Sequence, residues 1–339
     1  MTIRPDGKSR EWGTIGEPDY KALPGITFAL QSPFNRKNGY LMQINGVTIE
    51  DTFAEAFGMR ATRIIITALN PRWARQAGET MTGFATSVIG CGVEAGIESE
   101  LSSSQTPDGR PGVSVLLFGM STKDLAKALE VRTGQCILTC PTTAVYAGME
   151  GSERLPLGKN LRYFGDGYQI SKLIDGKRYW RIPVMDGEFI AEQDTGRCSA
   201  VGGGNFLVLA DNLPQALSAC EEAVVAMRKL PNVILPFPGG IVRSGSKVGS
   251  KYKALIASTN QAYCPTLRGL VDTQLDSETG AVLEIVINGL TPEDITQAMR
   301  AGISTICERG SAQGIRRISA GNYGGKLGQF HFRLHEVMA

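Results

Sequence analysis

A lone glutamate interrupts the apolar run AVLEIVINGL, which begins at Ala281. Read as a β-strand, the run alternates: Leu283, Ile285 and Ile287 share one face, and Glu284, Val286 and Asn288 share the other. A carboxyl group on an open sheet face, once covered by substrate or by a second chain, rises from its ordinary value of about 4.3 toward neutrality and becomes fit to donate a proton. An ion pair with Lys or Arg is the competing reading, because paired carboxylates also stand on sheets. The residue types leave both open.

Around this acid the chain offers glycine-rich turns with polar side chains: GGGNF from Gly202, PFPGGIVRSGSKVGSK from Pro236 and SAGNYGGKLGQ from Ser319. Glycines let backbone amides approach a ligand, and Ser244, Ser246, Lys247 and Lys326 are candidates to hold a carboxylate or phosphate. Asn205, Asn288 and Asn322 join them as candidate substrate contacts. Turn formation alone is the alternative for each loop. None is a phosphate-binding loop of the GxxxxGK(S/T) kind, and none has dinucleotide spacing. Seven cysteines include no CxxC pair, and the two histidines, His331 and His335, stand in a C-terminal FHFRLH segment expected to be a strand followed by a tail. That argues against a Cys-His nucleophile or a metal site, so Cys136, Cys140 and Cys264 are expected to be inert thiols, and Trp73 and Trp180 packing residues.

The elements that must position these groups repeat. GMSTKDLAKAL from Gly119 matches GLTPEDITQAM from Gly289, and each follows a β-rich string, VSVLLF or LEIVIN. Ser121 and Thr291 are predicted helix N-caps, with Asp124 and Asp294 three residues on to complete a capping box. Upstream, RIIITALNPRWARQA parallels FLVLADNLPQALSAC, a strand running into a Pro-started helix. TSVIGCGVEAGI and VILPFPGGIV read as second strands, QCILTC and GIRRISAG as final ones. Both halves therefore read β-α-β-β-α-β, an α+β chain with a duplicated ferredoxin-like fold. In that arrangement the strand of Glu284 is central, and the equivalent position of the first half is Ser114, so one acid, and one site, is expected per chain. Val286, with Leu116 and Phe118 in the first half, is expected to form apolar open faces that another subunit covers.

The domain reading is an extension over 1–41, flexible or a mis-assigned start, a first lobe over 42–140, an inserted β-rich segment over 141–200 and a second lobe over 201–339. The inserted segment is marked by the turns of FGDGYQ, IDGKRYW and MDGEFIAE. With 35 Lys and Arg against 33 Asp and Glu, no basic field favours nucleic acid. No long apolar stretch or signal sequence stands out, and the cysteine usage fits a reducing cytoplasm.

The strings INGVTIEDTFAEAF, TPDGRPG, GQCILTCPT, FGDGYQ, DGEFI, GGGNF, PFPGGIV, SKVGSK, STNQAYCPT, EIVINGL and SAGNYGGKLGQ occur in this order over Met42 to Glu336. In that order they resemble the formylmethanofuran:tetrahydromethanopterin formyltransferase family. The resemblance implies transfer of a formyl group between two amine-bearing carriers, methanofuran and tetrahydromethanopterin, as co-substrates, with no permanently bound cofactor and no metal. It implies a duplicated ferredoxin-like architecture, a homotetramer built from dimers, and a catalytic role for Glu284. Tyr263, in STNQAYCPT, is a further candidate contact. The balanced charge fits the bacterial, methylotroph-type branch. There the resemblance implies a subunit of a formyltransferase/hydrolase complex, with the formyl group running from pterin to furan carrier. The competing class is a pterin-binding or scaffold subunit without catalysis.

Overall fold

The computed structural model describes residues 42–339. The expectations for residues 1–41 lie outside that range.

In the first half the order is β1 (Phe53–Thr67), α1 (Pro71–Thr82), β2 (Val93–Leu101), β3 (Gly112–Gly119), α2 (Thr122–Arg132) and β4 (Ala144–Ala147). The second half runs β5 (Asp194–Ala210), α3 (Leu213–Met227), β6 (Val233–Ile234), β7 (Ala281–Gly289), α4 (Pro292–Arg309) and β8 (Ile315–Ser319). Hydrogen bonding orders the strands β4-β1-β3-β2 and β8-β5-β7-β6, antiparallel throughout. The two sets fuse where Phe57–Ala61 of β1 pair with Cys198–Gly202 of β5. The GGG string sits at this junction because a side chain on Gly202 would collide with Met59, and one on Gly204 with Ile295.

Each half buries one sheet face under its helices. Val113, Val115 and Leu117 of β3 face Met81, Leu125 and Leu129, while Leu283, Ile285 and Ile287 of β7 face Ile295, Met299 and Ile303. Period-two strands thus meet helices through alternate residues. Helix starts follow the local chemistry: Asn70 and Asn212 cap α1 and α3, which carry proline in the first turn. The capping box is complete at Thr291 and Asp294, but Ser121 lacks the return bond to its own N–H.

Between the halves, Ile170–Ile174, Lys177–Val184 and Gly187–Glu192 form two successive hairpins that extend the sheet beyond β4. Asp175 and Gly176 turn the first of them with positive φ, a tight hairpin geometry.

Three expectations need correction. QCILTC is no strand: Thr133–Ile137 continue α2 as a π-helical turn that buries Ile137, and the final strand of the first half comes later, at Ala144–Ala147. The C-terminal tail is a helix, Leu334–Met338, anchored by buried Leu334 and Val337. Leu116 and Phe118 need no second subunit, since Met59, Ala61, Ala200 and Ile234 of the same chain bury them completely. The second half folds back over the first and closes that face.

Candidate active site

The corresponding face of β7 is not closed. Residues 242–280, which carry the small sheet of Ser246–Val248 and Ala257–Thr259, arch over it and leave a cavity of about 280 Å³. Its floor is Asn205 and Leu207 of β5 with Val282 and Glu284 of β7, and its walls include Arg243 to Lys247, Asn260, Tyr263, Cys264, Asn322 and Tyr323. Six sequence-derived candidates thus meet Glu284 around one cavity: Asn205, Ser244, Ser246, Lys247, Tyr263 and Asn322.

Glu284 is fixed from both sides of its backbone. Leu207 is its neighbour on β5, and Val242 exchanges both backbone hydrogen bonds with it, at 2.7 and 2.9 Å. Its carboxyl group has no ion pair or side-chain hydrogen bond among the described residues, so the structural ion pair is not the reason for this acid. Burial against Leu207, Val242 and the loop above it pushes the carboxyl up to about 7. At neutral pH it exists both as acid and as base.

The remaining groups divide by what holds them. Asn205 clamps a loop, accepting from Gly321 N at 2.6 Å and donating to the carbonyls of Gly203 and Gly321. Asn322 donates to Thr52 and to the Phe53 carbonyl. Tyr263 hydrogen-bonds Ser319 at 3.2 Å, and Ser319 in turn donates to Glu50, which is paired with Arg317. Burial first, and then the Glu50 charge, keep the Tyr263 phenol above its ordinary value despite the Ser319 bond; since Ser319 gives its proton to Glu50, the phenol donates its own to Ser319. Ser244, Ser246, Arg243 and Lys247 have no side-chain hydrogen bond to the protein among the described residues and face the mouth, where an anionic ligand group would meet them.

Two candidates do not reach the cavity. Asn288 is fully buried where the lobes meet, donating to Glu94 and accepting from Gly203 N at 3.0 Å, because β2 covers that end of the β7 face. Lys326 is exposed on a loop whose amide groups turn away from the cavity to Glu55. Sequence reasoning missed Glu55, Arg243 and Tyr323. Glu55 carries the same signal as Glu284, an acid in the apolar string FAEAF, and Tyr323 lies in a string singled out for its glycines.

The family model described as formylmethanofuran-tetrahydromethanopterin formyltransferase matches residues 42–184, and its proximal-lobe model matches residues 187–337. A formylmethanofuran--tetrahydromethanopterin formyltransferase from Methylobacillus flagellatus is 67% identical over 302 residues, covering 88% of this chain and all of the relative. One subunit of the formyltransferase/hydrolase complex of Methylorubrum extorquens is 53% identical, covering 87% of this chain and 97% of the relative. The crystal structure of that complex with methylofuran matches at a TM-score of 0.86, 52% identity, 88% of this chain and 99% of the matched one. The formyltransferase of Methanosarcina barkeri matches at a TM-score of 0.83 and 47% identity, over 87% of this chain and all of the other.

Proposed function

The chain belongs to the formylmethanofuran-tetrahydromethanopterin formyltransferase family, and from that premise we propose that Glu284 is its acid catalyst. The protein is a formyltransferase whose co-substrates are methanofuran-type and tetrahydromethanopterin carriers. The observation that carries the Glu284 assignment is an unpaired carboxyl group, raised to about 7, in the floor of the cavity.

The chemistry needs no acyl-enzyme. The receiving amine nitrogen bonds to the formyl carbon, and the carbonyl electron pair moves onto oxygen. As that pair returns, the bond to the first nitrogen breaks, and the departing nitrogen takes the proton of Glu284. The receiving nitrogen, now acylated, surrenders a proton that restores the acid. The free hydroxyls of Ser244 and Ser246, which line the same cavity, are candidate donors for the oxyanion, and Arg243 and Lys247 offer charge to anionic portions of the carriers.

The strand order of each half supports reading the chain as two ferredoxin-like units, the second carrying the site. We propose that the second unit starts near Asp194, where β5 begins, a few residues before the expected 201. We propose a cytoplasmic location on the cysteine usage, since seven free thiols suit a reducing compartment. Separately, no helix among the described residues is long and apolar enough to cross a membrane. Likeness to a subunit of the formyltransferase/hydrolase complex supports sister subunits as partners, and passage of the formyl group from pterin to furan is proposed on the family resemblance alone. A homotetramer is proposed on family likeness, and the apolar faces at Leu116 and Phe118 lend it nothing.

The test is exchange by the purified chain, followed through pterin absorbance with both carriers present. Formyl transfer is expected without sister subunits. A chain that binds both carriers yet transfers nothing alone is a scaffold, and the catalytic reading falls.

A further inference from the structure

The loop over the far wall of the cavity, Gly321 to Gly328, has the glycine content and amide presentation of an anion-binding nest. Its anion is built into the chain. Glu55, on β1 of the first half and only 1% exposed, accepts four backbone hydrogen bonds from it. One carboxylate oxygen takes the N–H groups of Tyr323 and Gly325 at 2.7 and 2.8 Å, and the other those of Leu327 and Gly328 at 2.6 Å each. Burial opposes the charge, yet the four bonds prevail and hold the carboxyl below its ordinary value. Gly325 has a φ of +73°, and a side chain on Gly328 would strike Ala56 and Glu55 themselves. The loop is shaped to wrap this one carboxylate.

What the wrapping positions is Tyr323. Its ring lies 6.0 Å from that of Phe57, its N–H is held by Glu55, and it shares the cavity with Glu284. Burial, then the charges of Glu284 and Glu55, keep its phenol neutral. Tyr323 is 37% exposed at the rim of the cavity, and the covered part of its tethered, neutral ring lies on the side that borders the unpaired acid, where it can limit the access of water to it.

We propose that Glu55 is a positioning residue for formyl transfer: by wrapping the Gly321–Gly328 loop around its carboxylate, it holds Tyr323 against the reaction cavity and so keeps Glu284 screened from water. The proposal rests on the reading of Glu284 as the acid. The other titratable or charged groups around the cavity are Arg243, Lys247, Tyr263 and Cys264; beside Glu55 stand His331, its partner on the paired C-terminal strand, and Lys326 within the loop.

The experiment compares Glu55→Gln and Glu55→Asp in the full chain by formyl exchange across the pH range. Gln leaves two of the four N–H groups facing an amide donor, so the loop loosens. The folded variant is expected to lose roughly ten- to hundredfold in kcat, the scale of an ångström-sized misplacement. Its alkaline limb is expected to move to lower pH as water reaches Glu284, and Asp, which keeps both oxygens, recovers part of each loss. A purely structural Glu55 would lower the melting temperature and leave the limb of the folded enzyme in place, and that result overturns the proposal. If Glu55→Gln does not fold, Tyr323→Ala reads the same limb: a shift to lower pH supports the proposal and an unmoved limb overturns it. Glu284→Gln serves as the control, because a limb that survives it refutes the Glu284 reading itself.

Discussion

Ser114 on β3 and Glu284 on β7 stand at matching positions of matching strands, each on the face away from the helices, and the two surroundings could hardly differ more. Around Ser114 the face is sealed. Its hydroxyl donates at 2.7 Å to Glu98, which Arg63 grips with two bonds of 2.7 Å and which also accepts Asn232 N from the second half. Glu98 is desolvated, but these donors more than compensate and hold it below its ordinary value. Glu284 is desolvated as well and has no donor among the described residues, so it rises to about 7. Burial sets the size of the problem and the supply of donors sets its sign. The first face has become a clamp between the halves, and the second is kept available for chemistry.

The sharpest test of that contrast is at Glu284. Replacing it with Gln keeps the volume and a hydrogen-bond donor but removes the transferable proton. Turnover is expected to drop by roughly a hundredfold to ten-thousandfold, with the affinities of both carriers little changed. If Glu284→Ala is far harsher than Gln, the acid serves mainly as a hydrogen-bond donor to the oxyanion. If both variants fold and turn over normally, the two faces do not differ in function.

The contrast was only partly legible in the sequence, for physical reasons. Glu284 could be found because a nine-residue strand shows its alternation, and α2 and α4 because caps are local. QCILTC could not, since a short apolar run suits a buried helical turn as well as a strand. The covering of Leu116 and Phe118, and the burial of Asn288 beside Glu94, depend on which distant segment lands on a face. The glycine loop was readable as friendly to anions, but its anion lies 268 residues away from Tyr323. No local pattern carries that pairing.

At the sealed face, Glu98→Gln leaves Arg63 partly buried without its charge partner. A stability loss of roughly 3 kcal/mol is expected, visible in thermal or denaturant unfolding. Turnover at a temperature where the variant stays folded should match the parent. A large loss of kcat in folded Glu98→Gln would mean that the clamp and the site are one unit.

The two carboxyl groups should also respond oppositely to pH. Glu284, raised from 4.5 to about 7, imposes no cost below its unfolded value; the cost grows as pH climbs and is complete above about 7. Glu284→Gln should therefore unfold like the parent in acid and be more stable in mild alkali, by at most about 3 kcal/mol. Glu98, held low, adds stability above its unfolded value and loses it as the pH falls through its folded value, so Glu98→Gln should approach the parent in acid. Parallel curves for the two variants would contradict the assignment of opposite shifts.

The smallest expected difference lies in the caps of α2 and α4. Asp294 accepts from Thr291 N at 2.9 Å, from the Thr291 hydroxyl at 2.7 Å and from Asn232 Nδ2 at 3.2 Å, so it serves both the cap and the junction that Glu98 also holds. Among the described residues Asp124 accepts only the Ser121 hydroxyl, at 2.6 Å. Asp294→Ala is expected to cost about 1–2 kcal/mol, and Asp124→Ala about 0.5 kcal/mol, mainly its interaction with the helix dipole. Asn232 links Asp294 to Glu98, so Asp294→Ala combined with Glu98→Gln should be non-additive, while Asp124→Ala with Glu98→Gln should add. Double-mutant cycles read from denaturant unfolding would measure both. Additivity in both pairs would mean that the junction is energetically silent, and the first half would then contribute to the second through apolar packing alone.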